Sequence, residues 1–107
     1  MNAFHVGGDS PENTHPYRMA KIARLYPETN MFMVHMGGAH FHDFGNAAIE
    51  FASQCPNIYI IGSVIRSHPL LKAIKALGAS RICLGSDTPF ELMHVEVAKY
   101  KALLEGI

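Results

Sequence analysis

The stretch MFMVHMGG, residues 31–38, decides how this chain reads. Four apolar residues end abruptly in a histidine, and two glycines follow at one remove. An apolar run this short, bounded by turn residues, reads as a strand buried on both faces, the pattern of a parallel sheet. The same pattern recurs on either side. AFHV (3–6) precedes glycines, IYII (58–61) runs into Gly62 and Ser63, and RICL (81–84) runs into GSDTPF (85–90).

Between these runs the apolar residues take helical spacing. Met19, Ile22, Ala23 and Tyr26 form one stripe, Phe44, Ala47, Ala48 and Phe51 a second, and Leu70, Ile74 and Leu77 a third. Thr14, Ser67 and Thr88 can each cap a helix, Pro16, Pro69 and Pro89 fall in first turns, and Thr88 with Glu91 fits a capping box. Pro27 and Pro56 stop two helices, and Gly78 is placed to end a third. The alternation predicts an α/β fold of four consecutive βα units, with parallel strands and right-handed crossovers. No linker or low-complexity tract interrupts it, so residues 1–107 are expected to form a single domain.

Composition narrows the function. Nine Lys and Arg balance nine Asp and Glu, and the basic residues are scattered rather than striped, which argues against a nucleic-acid partner. Cys55 and Cys83 read as a helix end and a buried strand with no disulfide or zinc-finger spacing, which points to a reducing cytoplasmic setting. No apolar run nears the roughly 20 residues that span a bilayer, and the N-terminus has no signal-peptide pattern, so no membrane partner is expected. Histidine is the anomaly, with seven residues, and it is the side chain best suited to metal ligation and proton transfer near neutral pH.

Three of these features fall at equivalent places. In parallel α/β folds, ligands bind where the strand-to-helix loops converge at the C-terminal ends of the strands. His5, His35 and Asp87 each stand at or just beyond such an end, far apart in sequence but predicted to share one site. Two imidazoles and a carboxylate suit a divalent ion such as zinc that keeps a position open for water. Singly, each has a plainer reading, as a hydrogen-bonded core histidine or a turn aspartate; the coincidence of three favours chemistry. The HFH of residues 40–42 falls in a loop or first helical turn where its histidines diverge, and is expected only to line the pocket mouth. His15, His68 and His94 read as cap or surface residues. Ser63 and Arg66, in the loop after the third strand, are the candidate substrate contacts, with Arg66 either solvated or a clamp for a carboxylate.

FHVGG (4–8), YPETNMFMVHMGG (26–38) and RICLGSDTPF (81–90) together resemble the amidohydrolase superfamily of metal-dependent TIM-barrel enzymes. The resemblance is to its amidohydrolase-related branch, which includes hydrolases and aminocarboxymuconate-semialdehyde or resorcylate-type decarboxylases. It covers nearly the whole chain and corresponds to the second half of a (β/α)8 barrel, strands five to eight. It implies that His5 is the fifth-strand metal ligand and that His35 is the sixth-strand histidine, an acid/base, a polariser of substrate or a ligand of a second metal. Asp87 would be the eighth-strand aspartate, both ligand and acceptor of the water proton. The family's first-strand His-x-His pair has no counterpart, since HFH at 40–42 lies in the wrong place.

The resemblance therefore implies a metal-dependent hydrolase, or a decarboxylase, using zinc or alternatively manganese on a small carboxylate-bearing substrate. A half barrel would leave two strand edges and one apolar sheet face uncovered, which predicts homo-oligomers, two copies closing one barrel. The competing expectation is a catalytically inactive half-barrel fragment, or a silent α/β module that self-associates and whose histidines are structural. A nucleotide binder is disfavoured, because neither HVGG nor HMGG has the glycine spacing of a dinucleotide loop or the lysine of a P-loop.

Overall fold

In a computed structural model, residues 2–8, 10–38 and 42–106 are described, Gly37 and His42 by their backbone alone. The chain runs β1 (Asn2–His5), α1 (Pro11–Thr14), α2 (Pro16–Leu25), β2 (Met31–Val34), α3 (His42–Gln54), β3 (Ile58–Ile61), α4 (Ser67–Leu77), β4 (Ile82–Cys83) and α5 (Met93–Glu105), with short 3-10 turns at His35–Gly37 and Ala79–Arg81. The strands form one parallel sheet in the order β1-β2-β3-β4, so each is followed by helix and pairs with its predecessor, as the four-unit reading predicts.

Register puts Phe4, Met33, Ile60 and Ile82 in one row and His5, Val34, Ile61 and Cys83 in the next. The first row and its same-face neighbours Met31 and Ile58 pack with Met19, Ala20 and Ala23 of α2, Ala48 and Ala52 of α3 and Leu70, Ala73 and Ile74 of α4. Met33, Ile58, Ile60 and Leu70 are fully enclosed there. The other face departs from expectation. Phe32, Val34, Tyr59 and Ile61 are only half-buried, with Phe32 stacked on Tyr59 at 5.3 Å between ring centroids. The strands are thus enclosed on one face, where α2, α3 and α4 pack. The sequence concealed this, since both faces are apolar and the period of two is invisible.

Several helix boundaries also differ. His15, not Thr14, caps α2, its Nδ1 accepting from Tyr17 N at 3.0 Å. Thr14 Oγ1 is already engaged, accepting from Gly8 N at 3.0 Å and donating to Ser10 O at 2.8 Å. The buried stripe of α2 is Pro16, Met19, Ala20 and Ala23, while Tyr26 lies beyond the helix and exposed. Ser67 lies inside α4 and Arg66 takes the cap position with no side-chain cap. Thr88 caps nothing: its hydroxyl pairs with Ser86 Oγ at 2.7 Å, the Thr88–Pro89 bond is cis, and the last helix starts only at Met93. Gly78 does end α4, at φ 85°, its N–H bonded to Ile74 O.

Two polar side chains staple the end of the sheet where the strands begin. Asn57 Nδ2 donates to Ala23 O, Tyr26 O and Thr29 O at 3.0–3.1 Å, serving the Ala23 carbonyl left over where α2 ends and two carbonyls of the turn that follows, of which Tyr26 O also accepts from Thr29 N. Arg81 does the same for α3, its guanidinium reaching Ala52 O at 2.8 Å, Cys55 O at 3.1 Å and Ile58 O from both Nε and Nη2. Arg81 also explains why β4 is two residues long: its side chain is drawn back under β3, and its backbone closes the 3-10 turn before pairing begins.

Candidate active site

The opposite end of the sheet is built differently. Every described non-glycine residue with positive φ lies there: His35 (63°) and Met36 (45°) after β2, Val64 (59°) after β3 and Asp87 (58°) after β4. Such conformations cost about 1–3 kcal/mol each and persist where the surroundings over-determine them, a pattern that clusters at functional sites. For the β-branched Val64 the strain is greatest.

These bends bring the predicted trio together. The His5 and His35 rings meet edge to face, 4.8 Å between centroids at 78°. His35 Nε2 lies 4.0 Å from Asp87 Oδ2, with the two side chains 15% and 41% exposed. His35 is the member that touches both others. Its Nδ1 is held by Ser63 Oγ at 2.8 Å and faces Ser63 O at 3.3 Å. A carbonyl can only accept, so this pairing favours the proton on Nδ1 and leaves Nε2 toward Asp87 for chemistry. Ser63, expected to contact substrate, is buried, and its hydroxyl is engaged with His35.

The glycines after the histidines make room for the protein itself. A Cβ on Gly38 would strike the Gly7 backbone, so the HVGG and HMGG loops lie directly against each other. A Cβ on Gly8 would fall 2.7 Å from His5 Cε1 and 2.9 Å from Nδ1. Gly8→Ala is therefore expected to turn the His5 ring while leaving the enclosed core intact. Thermal unfolding within about 1 kcal/mol of wild type, with zinc affinity reduced, is the outcome that checks it.

Helix α5 supports the site from beneath. Lys99 Nζ donates to Glu96 Oε1 and to Ile65 O, both at 2.7 Å, tying the loop that carries Ser63 to a carboxylate only 2% exposed. Glu96 Oε2 is buried without a hydrogen-bond partner among the described residues. Tyr100 OH donates to Cys83 O at 3.1 Å and packs where a Cβ on Gly62 would sit. Burial, then the Glu96 charge, pushes the Tyr100 phenol well above its ordinary value, so it remains a neutral donor. Burial also raises the Cys83 thiol, which disfavours the thiolate a metal would need. Sequence reasoning missed Glu96, Lys99 and Tyr100. A Glu and a Lys three apart on a helix is also how a solvated surface pair looks.

Arg66 stands apart. It is exposed at the head of α4 and lines a cleft between α3 and α4 that does not include His5, Ser63 or Asp87. His40 lies outside the described residues, and His42 opens α3 with only its backbone described. His68 and His94 are exposed, as expected.

The donor chemistry at the strand ends, two imidazoles in ring contact with a carboxylate 4.0 Å from one of them, is of the kind that suits a divalent ion. Among the described residues, however, no three His, Cys, Asp or Glu side chains are arranged to hold one. In architecture the chain is a run of βα units with polar chemistry at the C-terminal edge of a parallel sheet. Residues 2–105 match the family described as Amidohydrolase, and the chain belongs to that family.

Among solved structures it is similar to an amidohydrolase from Burkholderia multivorans with bound zinc, at 15% identity, TM-score 0.70, covering 97% of this chain and 45% of that one. Amidohydrolase 2 from Bifidobacterium longum subsp. infantis is similar at 17% identity and TM-score 0.67, covering 98% and 42%. A 2,6-dihydroxybenzoate decarboxylase from Rhizobium follows at 18% identity and TM-score 0.57, covering 94% and 45%. At these identities the likeness shows the fold, part of a TIM-barrel-like α/β architecture, and the chain spans less than half the length of each of these three structures. No significant match was found among curated proteins. Among the described residues, no helix is long and apolar enough to cross a membrane.

Proposed function

We propose that this chain carries the proton-handling half of a metal-dependent hydrolase of the amidohydrolase family, acting on a small carboxylate-bearing substrate. The observation that carries the reading is the junction at His35: anchored by Ser63 through Nδ1, in ring contact with His5, and facing Asp87 through Nε2. His5 and Asp87 are the residues that would hold the ion, zinc foremost and manganese as the alternative. When bound, such an ion supplies a water that ionises near neutral pH. Asp87 accepts and returns a proton at its carboxylate. His35, kept in one orientation by Ser63 with its proton on Nδ1, takes up a second proton at Nε2 as a base, and as the resulting cation returns it or polarises the substrate from there. The same groups would serve decarboxylation of an aromatic acid, a reading supported by the likeness to the Rhizobium decarboxylase.

A second reading rests on the half-buried face of Phe32, Val34, Tyr59 and Ile61, and on the outer edges of β1 and β4, which pair with no described strand. On this reading the chain is a silent module in which a second copy supplies four more parallel strands and covers that face. Metal content and solution mass, measured together, separate the two. The hydrolase reading expects stoichiometric zinc that falls at least about tenfold in affinity in His5→Ala/Asp87→Ala. A folded dimer of twice 11.8 kDa that takes up no zinc supports the module instead.

A further inference from the structure

We infer that the cleft between α3 and α4 is a binding site for a small organic anion, a carboxylate or phosphate carried on an apolar body. The cavity has a volume of about 220 Å³. Three of its lining side chains are basic or potentially so: Arg66, His68 and Lys72; none is acidic. Its apolar wall comes from Met36, Ile49 and Ile65, each fully or almost fully buried, so the inner part of the cleft suits a hydrocarbon or aromatic group.

The cationic groups are placed as a set. Arg66 occupies the cap position of α4, an 11-residue helix whose first turn has no side-chain cap. The N–H groups of Ser67 and His68 therefore add to the positive field at the mouth, while Pro69 contributes none. Lys72, one turn further along, is steadied by its bond to Asn46 Oδ1 of α3 at 2.7 Å, which draws its charge across the cleft. A forked guanidinium, a point charge and a helix N-terminus converging on one opening is an arrangement that recognises a planar carboxylate or a phosphate. In a chain of zero formal net charge, so local an excess of positive groups is a feature of this cleft rather than of the surface at large.

The inference goes beyond the hydrolase reading and needs neither metal nor turnover, so it is tested on the full chain with a chelator present. Benzoate and phenyl phosphate, with inorganic phosphate for comparison, are titrated into the 15N-labelled protein while amide shifts are followed. The expected result is saturable movement of the Ser67 and His68 amides by one or both aromatic anions, at lower concentration than inorganic phosphate requires. Arg66→Gln/Lys72→Gln should weaken this by at least about tenfold, the loss expected for charge-assisted hydrogen bonds. Lys75→Gln, on the same helix but outside the cleft, should leave it unchanged. Both cleft residues are exposed, and an unaltered far-UV spectrum confirms that the double variant folds. Whichever aromatic anion binds more tightly identifies the headgroup. Absence of saturable shifts, inorganic phosphate binding as tightly as the aromatic anions, or equal binding by the double variant and wild type would overturn the site. None of these results bears on zinc.

Discussion

Replacing Arg81 with alanine is expected to destabilise the fold by about 2–4 kcal/mol, from roughly 1–3 kcal/mol for each buried acceptor left without a donor. The guanidinium serves three carbonyls; Cys55 O also accepts from Ile58 N at 3.0 Å, so two, on the fully enclosed residues Ala52 and Ile58, would lose their donor. The lower half of the summed range is appropriate because Arg81 is only half-buried and water can reach part of the space it leaves. Against the roughly 5–15 kcal/mol available to a native domain, this is a large share. Arg81→Lys should recover only part of the loss, since one ammonium cannot span three acceptors held by a planar fork. Urea unfolding reads both variants, and an alanine variant within about 0.5 kcal/mol of wild type would place it among unremarkable surface changes.

Lys99→Met should be nearly as costly, about 3 kcal/mol, by stranding the buried Glu96 carboxylate. The figure sits at the low end of the range for broken buried pairs because Lys99 itself is 16% exposed. The test of mechanism is the double variant Glu96→Gln/Lys99→Met, which leaves no buried charge and should be more stable than Lys99→Met alone. If the double variant lost as much as the two single changes summed, the two side chains would be acting independently, and the tie from α5 to the Ser63 loop through Ile65 O would not exist as described.

The parts of the fold that were legible were those where a run of apolar residues meets hard punctuation. Strands β2 and β3 match the predicted Met31–Val34 and Ile58–Ile61 residue for residue, because a histidine or glycine ends each. Capping was misread at Thr14 and Thr88 because a hydroxyl before a proline can serve a loop as readily as a helix, and both hydroxyls here hold loops. The trio His5, His35 and Asp87 was legible from its shared position at strand ends. What sequence could not give was the role of Ser63, which depends on a pairing 28 residues distant. Arg66 and Ser63, three residues apart and grouped as substrate contacts, face different surroundings, because the bend at Val64 turns the chain between them.

On the proposed function, His5 and Asp87, with His35 beside them, would form the metal-facing part of one dispersed site. X-ray absorption at the zinc edge, on the chain loaded with one equivalent of zinc, addresses it most directly. The expected result is a nitrogen and oxygen shell at about 2.0–2.2 Å, with imidazole scattering that weakens in His5→Ala and a shell that loses an oxygen in Asp87→Ala. A sulfur shell at about 2.3 Å, marking Cys55 or Cys83 as ligand, or a spectrum unchanged in both variants, would contradict it.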